Sequence, residues 1–139
     1  MDKKILQLIA YYLEGKEFHF TKEEEHNVIK TGLGGLDNME GIKMLIVVDN
    51  DGHSIGVRAF DFCKFPADKK EKMYQVCSQS NRKYRWASFC VDEDDNTVTV
   101  AIDAIVTAET CGQIAFELLG RMAAVADSAY PDFMKALWA

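Results

Sequence analysis

Hydrophobic residues recur along this chain with two periods, and the changes of period divide it into elements. From about Lys3 to Glu14, Ile5, Leu6, Ile9, Tyr12 and Leu13 share one face at helical spacing. Asp2 is placed to cap this helix and Gly15 to stop it. Glu17 to Thr21 alternates, with Phe18 and Phe20 on one side and His19 on the other, as a short strand does. Lys22-Glu23-Glu24-Glu25 reads as an exposed connection, and Asn27 to Leu33 as a further strand. Gly32, Gly34, Gly35 and Gly41 make the next stretch the most flexible-looking part of the chain. Lys43 to Asp49 then carries the buried-strand run Met44 to Val48. Asn50-Asp51-Gly52 supplies a tight turn, and Ser54 to Phe62 returns. The inward set of that return changes from Ile55, Val57 and Ala59 to Phe60 and Phe62, which predicts a bulge or a strand end.

Pro66 suits the first turn of a second helix running to about Ser80, with a narrow apolar side of Met73, Val76, Cys77 and Tyr74. Asn81 is placed as its C-terminal cap. A second hairpin covers Tyr84 to Ile105, with Asp92 to Asn96 at its tip and Val98, Val100, Ile102 and Ala104 facing inward. The last helix starts near Thr110, which has capping-box spacing to Gln113. Ile114, Ala115, Leu118, Leu119, Met122, Val125, Ala126 and Ala129 form its stripe, while Gly112, Gly120, Ala123 and Ala124 keep another side small. Pro131 should restart or kink it before Phe133, Met134, Leu137 and Trp138.

The result is an α+β fold in the order α-β-β-β-α-β-β-α. Hairpin connections predict a mainly antiparallel sheet of about five or six strands, flanked by three helices. A length of 139 residues suits one domain over 1–139.

Charge narrows the partners. The net charge of −6 comes without a basic stripe, since Glu71 interrupts Lys69, Lys70 and Lys72, so no nucleic-acid partner is expected. No signal peptide and no run of about 20 apolar residues is present, so no membrane partner is expected either. Cys63, Cys77, Cys90 and Cys111 are widely spaced and sit in patterned elements, which points to reduced thiols, mostly in the core, and a cytoplasmic location.

The chemical motifs lack their contexts. Gly52-His53-Ser54-Ile55-Gly56 matches the nucleophile elbow of α/β-hydrolases, but its flanks read strand, turn, strand, and His19, His26 and His53 all precede Ser54. Asp92, Asp94 and Asn96 begin an EF-hand count that lacks the required glycine and closing glutamate. Gly32-Leu33-Gly34-Gly35 lacks the remainder of a dinucleotide or P-loop fingerprint. Tyr84, Trp86 and Phe89 lie beside Arg82, Lys83 and Arg85, an aromatic and basic pairing that could stack bases. Packing under the second helix is the preferred reading. No catalytic, cofactor or metal residue is therefore assigned.

The order from Ile42 to Leu137 resembles the YbjN family, labelled bacterial sensory transduction regulators. The resemblance lies in the apolar hairpin Met44 to Val48 and Ile55 to Phe62, and in the Pro-initiated helix ending Ser80-Asn81-Arg82. It continues through Trp86-Ala87-Ser88-Phe89-Cys90-Val91-Asp92, the acidic turn, Thr97 to Ile105, and a long helix with Ala126-Asp127 and Tyr130-Pro131. Asn96 stands where the family often has glycine, and the glycine-rich 32–41 segment is not aligned. The resemblance implies a type III secretion chaperone-like fold, often dimeric, without catalytic residues, that binds extended segments of partner polypeptides. The expected function is a non-enzymatic protein-interaction module, chaperone-like or regulatory. A homodimer is expected because Phe133, Met134, Leu137 and Trp138 exceed what one short helix buries. The alternative is a small-molecule sensor with a pocket between the sheet and the C-terminal helix.

Overall fold

A computed structural model describes residues 3–139; Asp2, the expected first cap, lies outside them. The elements are α1 (Lys4–Gly15), β1 (Phe20–Glu23), β2 (Val28–Gly34), β3 (Gly41–Val48), β4 (Ser54–Lys64), α2 (Lys70–Lys83), β5 (Ser88–Asp92), β6 (Thr97–Ile105) and α3 (Cys111–Trp138). Four strands rather than three precede the second helix. Phe20–Glu23 pairs along β2 as a strand of its own and takes in Lys22 and Glu23, expected to be connection. The six strands form one antiparallel sheet in the order β1-β2-β3-β4-β6-β5.

Alternation decides what faces the helices. Ile42, Met44, Ile46 and Val48 of β3, Ile55, Val57 and Ala59 of β4, and Val98, Val100 and Ile102 of β6 are buried. Ala115, Leu119, Met122 and Ala126 of α3 are buried in the same core. Phe133 stacks on Phe89 at 5.2 Å and meets Phe62 edge-on at 5.1 Å, closing the core at the far end of α3. The register of β4 on β6 shifts between Ala59 and Cys63, with Asp61 at φ 58. This is the expected bulge, but it sends only Phe62 inward and leaves Phe60 outside.

Several ends differ from the local signals. The left-handed residue after α1 is Glu17 (φ 57), not Gly15, and the Phe18 N–H returns to the Leu13 carbonyl at 3.0 Å. Thr110 makes no side-chain cap to α3; its hydroxyl accepts from the Thr107 N–H instead. Helix α3 runs through Pro131 without a break. Asn81 does not end α2. Its side-chain amide bonds both the N–H (2.6 Å) and the C=O (3.0 Å) of Phe89, standing in for a neighbouring strand.

The glycine-rich segment is held rather than loose. Gly32 and Gly34 lie in β2, and Gly41 opens β3. The loop between them sits on Asp127 of α3, whose buried carboxylate accepts the backbone N–H groups of Asp37, Asn38 and Met39 at 2.8 to 3.1 Å. The Asn38 side chain also donates to the Asp127 carbonyl at 3.0 Å. A buried charge needs several donors, and the loop backbone supplies them.

Candidate functional site

The C-terminal apolar surplus is largely spent inside the chain. Phe133 is fully buried, and Met134 and Leu137 pack against the core, which leaves Trp138 at 80% exposure. Apart from Tyr11 on α1 and Tyr74 on α2, the other exposed large apolar side chains fall in two places: Trp86 beside α3, and Val47, Phe60 and Ile105 on the helix-free face of the sheet.

The first place is a shallow groove along α1 and α3. Tyr12 crosses the first turn of α3 at Gly112, where an added Cβ would come within 2.5 Å of it. Phe116 stands beside Tyr12 (6.1 Å) and Phe18 (5.8 Å), with the Lys16 ammonium 5.5 Å from the Tyr12 ring. Gly120 and Ala124 continue the groove. Arg121 bounds it, held by Glu117 at 2.9 Å and lying over the Trp86 ring at 4.4 Å.

Trp86 is held there by an unusual backbone. Its φ is +78, and the Ala87 N–H closes a three-residue turn onto the Arg85 carbonyl at 2.9 Å. A bulky side chain at positive φ costs roughly 1–2 kcal/mol. The turn swings Trp86 out of the strand line and leaves it 58% exposed, whereas Phe89 is buried against α2 and α3. Packing under the second helix thus holds for Phe89 and not for Trp86. No local signal in the sequence pairs Trp86 with Arg121. Only the fold brings them together.

The second place is the open face of the sheet. Here Leu45 lies opposite Arg58, and Val47 opposite Gly56. The Arg58 guanidinium reaches Asp103 at 2.8 Å and the Ile102 carbonyl at 3.3 Å. The pair lies over Gly56, where a Cβ would meet the Asp103 carboxylate at 2.5 Å and the guanidinium at 2.9 Å. The second glycine of Gly-x-Ser-x-Gly therefore leaves room for an ion pair, and the first, Gly52 (φ 74), makes the turn. One depression beside Phe60 includes Asp49, Ser54 and Gly56; another includes Lys30, Lys43 and Asp61.

The remaining chemical candidates stay apart. Among the described residues, no three His, Cys, Asp or Glu side chains come together as a metal site. At the Asp92 to Asn96 tip, Asp92 accepts the Asp94 N–H and Asp95 accepts the Thr97 hydroxyl. All four cysteines are free. Cys63, Cys77 and Cys111 are buried, and burial, with smaller contributions from Cys90 and Cys63, pushes the Cys77 thiol up to about 12. Cys90 is exposed, because it points out of β5 on the open face. The small residues Ala115, Ala123 and Ala126 of α3 are fully packed. No helix among the described residues is long and apolar enough to cross a membrane.

The sequence model of the YbjN family, described as putative bacterial sensory transduction regulator, matches residues 8–137. A search of curated proteins finds no match. Among solved structures, the chain is similar to YbjN of E. coli, described as a putative transcription regulator. Their TM-score is 0.64 and their identity 16%, over 91% of this chain and 92% of that one. It is also similar to a chain of the HopA1–SchA chaperone–effector complex, with a TM-score of 0.53 and 12% identity over 88% and 94%. A chain of the ExsC–ExsE complex gives 0.52 and 15% over 88% and 92%. These likenesses establish a type III secretion chaperone-like fold.

Proposed function

The chain belongs to the YbjN family, and we propose that it is a non-enzymatic protein-interaction module, chaperone-like or regulatory, that binds a partner polypeptide along the α1–α3 groove. The observation that carries this reading is Trp86. Its backbone is held in an unfavourable conformation and its ring lies outside the core, on Arg121, at the border of a groove walled by Tyr12 and Phe116. Strain of this kind collects at recognition sites. Aromatic walls with Lys16 and Arg121 on the rim suit an extended segment carrying apolar and acidic side chains. The HopA1–SchA chaperone–effector complex supports polypeptide binding as a use of this fold.

Addition of a partner strand at the sheet edges is less suited. Asn81 already occupies the Phe89 backbone on β5. Strand β1 has only 4 residues and carries Lys22 and Glu23, a charged short edge of the kind that resists pairing. We place the protein in the cytoplasm as one domain, since four unpaired thiols suit a reducing compartment.

The test is affinity purification from the native host with wild type and with Phe116→Ser/Arg121→Glu. A polypeptide held by wild type and by a Phe60→Ser control, but at least tenfold depleted on the groove variant, is the expected result. Equal recovery on all three removes the groove. A metabolite that raises the melting temperature by several degrees, with no polypeptide retained, favours the sensor reading instead.

A further inference from the structure

We propose that the groove between α2 and the last two turns of α3 binds a small molecule carrying at least two anionic groups, of the phosphate or carboxylate class. The claim goes beyond polypeptide binding and uses a different surface from the α1–α3 groove, so either can fail while the other stands.

The two helices run antiparallel here, and contacts cross the groove at both ends. At one end the Lys83 ammonium lies 3.7 Å from the Asp132 carboxylate. At the other, the ammonium groups of Lys69 and Lys72 converge on the Ala139 carbonyl oxygen at 2.6 and 3.3 Å. From Asp132 to Ala139 the helix rises about 10 Å. The groove between these contacts holds about 460 Å³, within the usual range of small-molecule sites. An extended polypeptide needs a channel open at its ends, whereas this groove is bounded along its length.

The lining is cationic in a chain whose net charge is −6. Lys69, Lys72, Lys83 and Lys135 gather around the groove, and only Asp132 and the Ala139 oxygen answer them. Lys135 has no ion-pair partner among the described residues. Helical spacing builds the row on α2: Lys72, Gln75, Gln79 and Lys83 follow one another at three or four residues and share one face. Ser80 lies at the floor of the groove. It is only 3% exposed, and its hydroxyl has no hydrogen-bond partner among the described residues. Buried hydroxyls are ordinarily paired, and an anionic oxygen in the groove supplies the partner. Ammonium groups, amide donors and a hydroxyl converging on one space suit phosphate or carboxylate oxygens and disfavour cations. Val76 and Ala136 give the carbon skeleton of such a molecule an apolar wall.

Calorimetric titration with pyrophosphate and with citrate, against sodium chloride of matched ionic strength, tests the site. Wild type is compared with Lys135→Gln, Ser80→Ala and Lys43→Gln, the last a control on the open face of the sheet. Lys135 and Lys43 are exposed, so thermal melting should show unchanged folds for both, and Lys135→Gln carries the test even where Ser80→Ala is destabilised. The expected result is saturable binding of at least one anion, at least tenfold weaker in Lys135→Gln, weaker also in Ser80→Ala, and unchanged in Lys43→Gln. Tighter binding of pyrophosphate assigns the site to a phosphate compound, and tighter binding of citrate to a carboxylate. Absence of saturable binding for both anions up to millimolar concentration overturns the proposal. So does binding that Lys135→Gln and Ser80→Ala leave unchanged, which marks an adventitious ion only.

Discussion

Along β3, Ile42, Met44, Ile46 and Val48 lie under the helices, while Lys43, Leu45 and Val47 face away from them. The same alternation on β4 and β6 gives one sheet two unlike faces. Beneath the helices the rows of β3, β4 and β6 are apolar and buried. On the other side, apolar side chains alternate with a nested ion pair, a glycine and charges at the strand ends. Hydrophobic burial fixes the first face and leaves the second nearly free of folding constraints. The open face is therefore where substitutions can serve recognition without unfolding the protein.

The sharpest way to separate the faces is chemical. Iodoacetamide at neutral pH should modify Cys90 in the native protein and all four cysteines after unfolding, because the other three thiols are buried and Cys77 is pushed up to about 12. Mass spectrometry counts the adducts, and native labelling of Cys77 would mean that the covered face opens readily. Next in size is Phe133→Ala, which empties the aromatic cluster against Phe62 and Phe89. It should cost about 3–5 kcal/mol in denaturant unfolding. Val47→Ala on the open face should stay within about 0.5 kcal/mol. Similar losses for both would erase the distinction.

Asp127→Ala removes the acceptor for three loop N–H groups and should cost roughly 2–3 kcal/mol. Hydrogen exchange should rise at residues 37–39 before the rest of the sheet, and unchanged exchange there would show that the loop holds itself. The smallest effect is expected at Trp86→Gly. Relief of about 1 kcal/mol of backbone strain offsets a cation–π contact of similar size. Stability should hardly move while any groove-bound polypeptide is lost. A large destabilisation would make Trp86 a packing residue after all.

The candidate surfaces were only partly legible in the sequence. Alternation identified Lys43 to Val48 and Thr97 to Ile105 as strands with one buried side, and hence their outward residues. It misassigned Phe60, because the bulge that turns Phe60 out and Phe62 in depends on pairing with β6. Trp86 was legible only as part of an aromatic strand, since nothing adjacent signals a positive φ at so large a residue. The glycines of 32–41 looked loose because their anchor, Asp127, is about 90 residues away in the chain.

Periodicity by itself determined the α+β class, the antiparallel hairpins and most core positions, because each depends on neighbours within a few residues of one another. The tertiary structure alone decided where α2 closes the β5 edge through Asn81, which loop Asp127 holds, and that Arg121 lies under Trp86. It also decided that the helices leave a whole sheet face uncovered. Those arrangements come from hydrogen bonds and ring contacts between distant segments, and they form only once hydrophobic burial has brought the segments together.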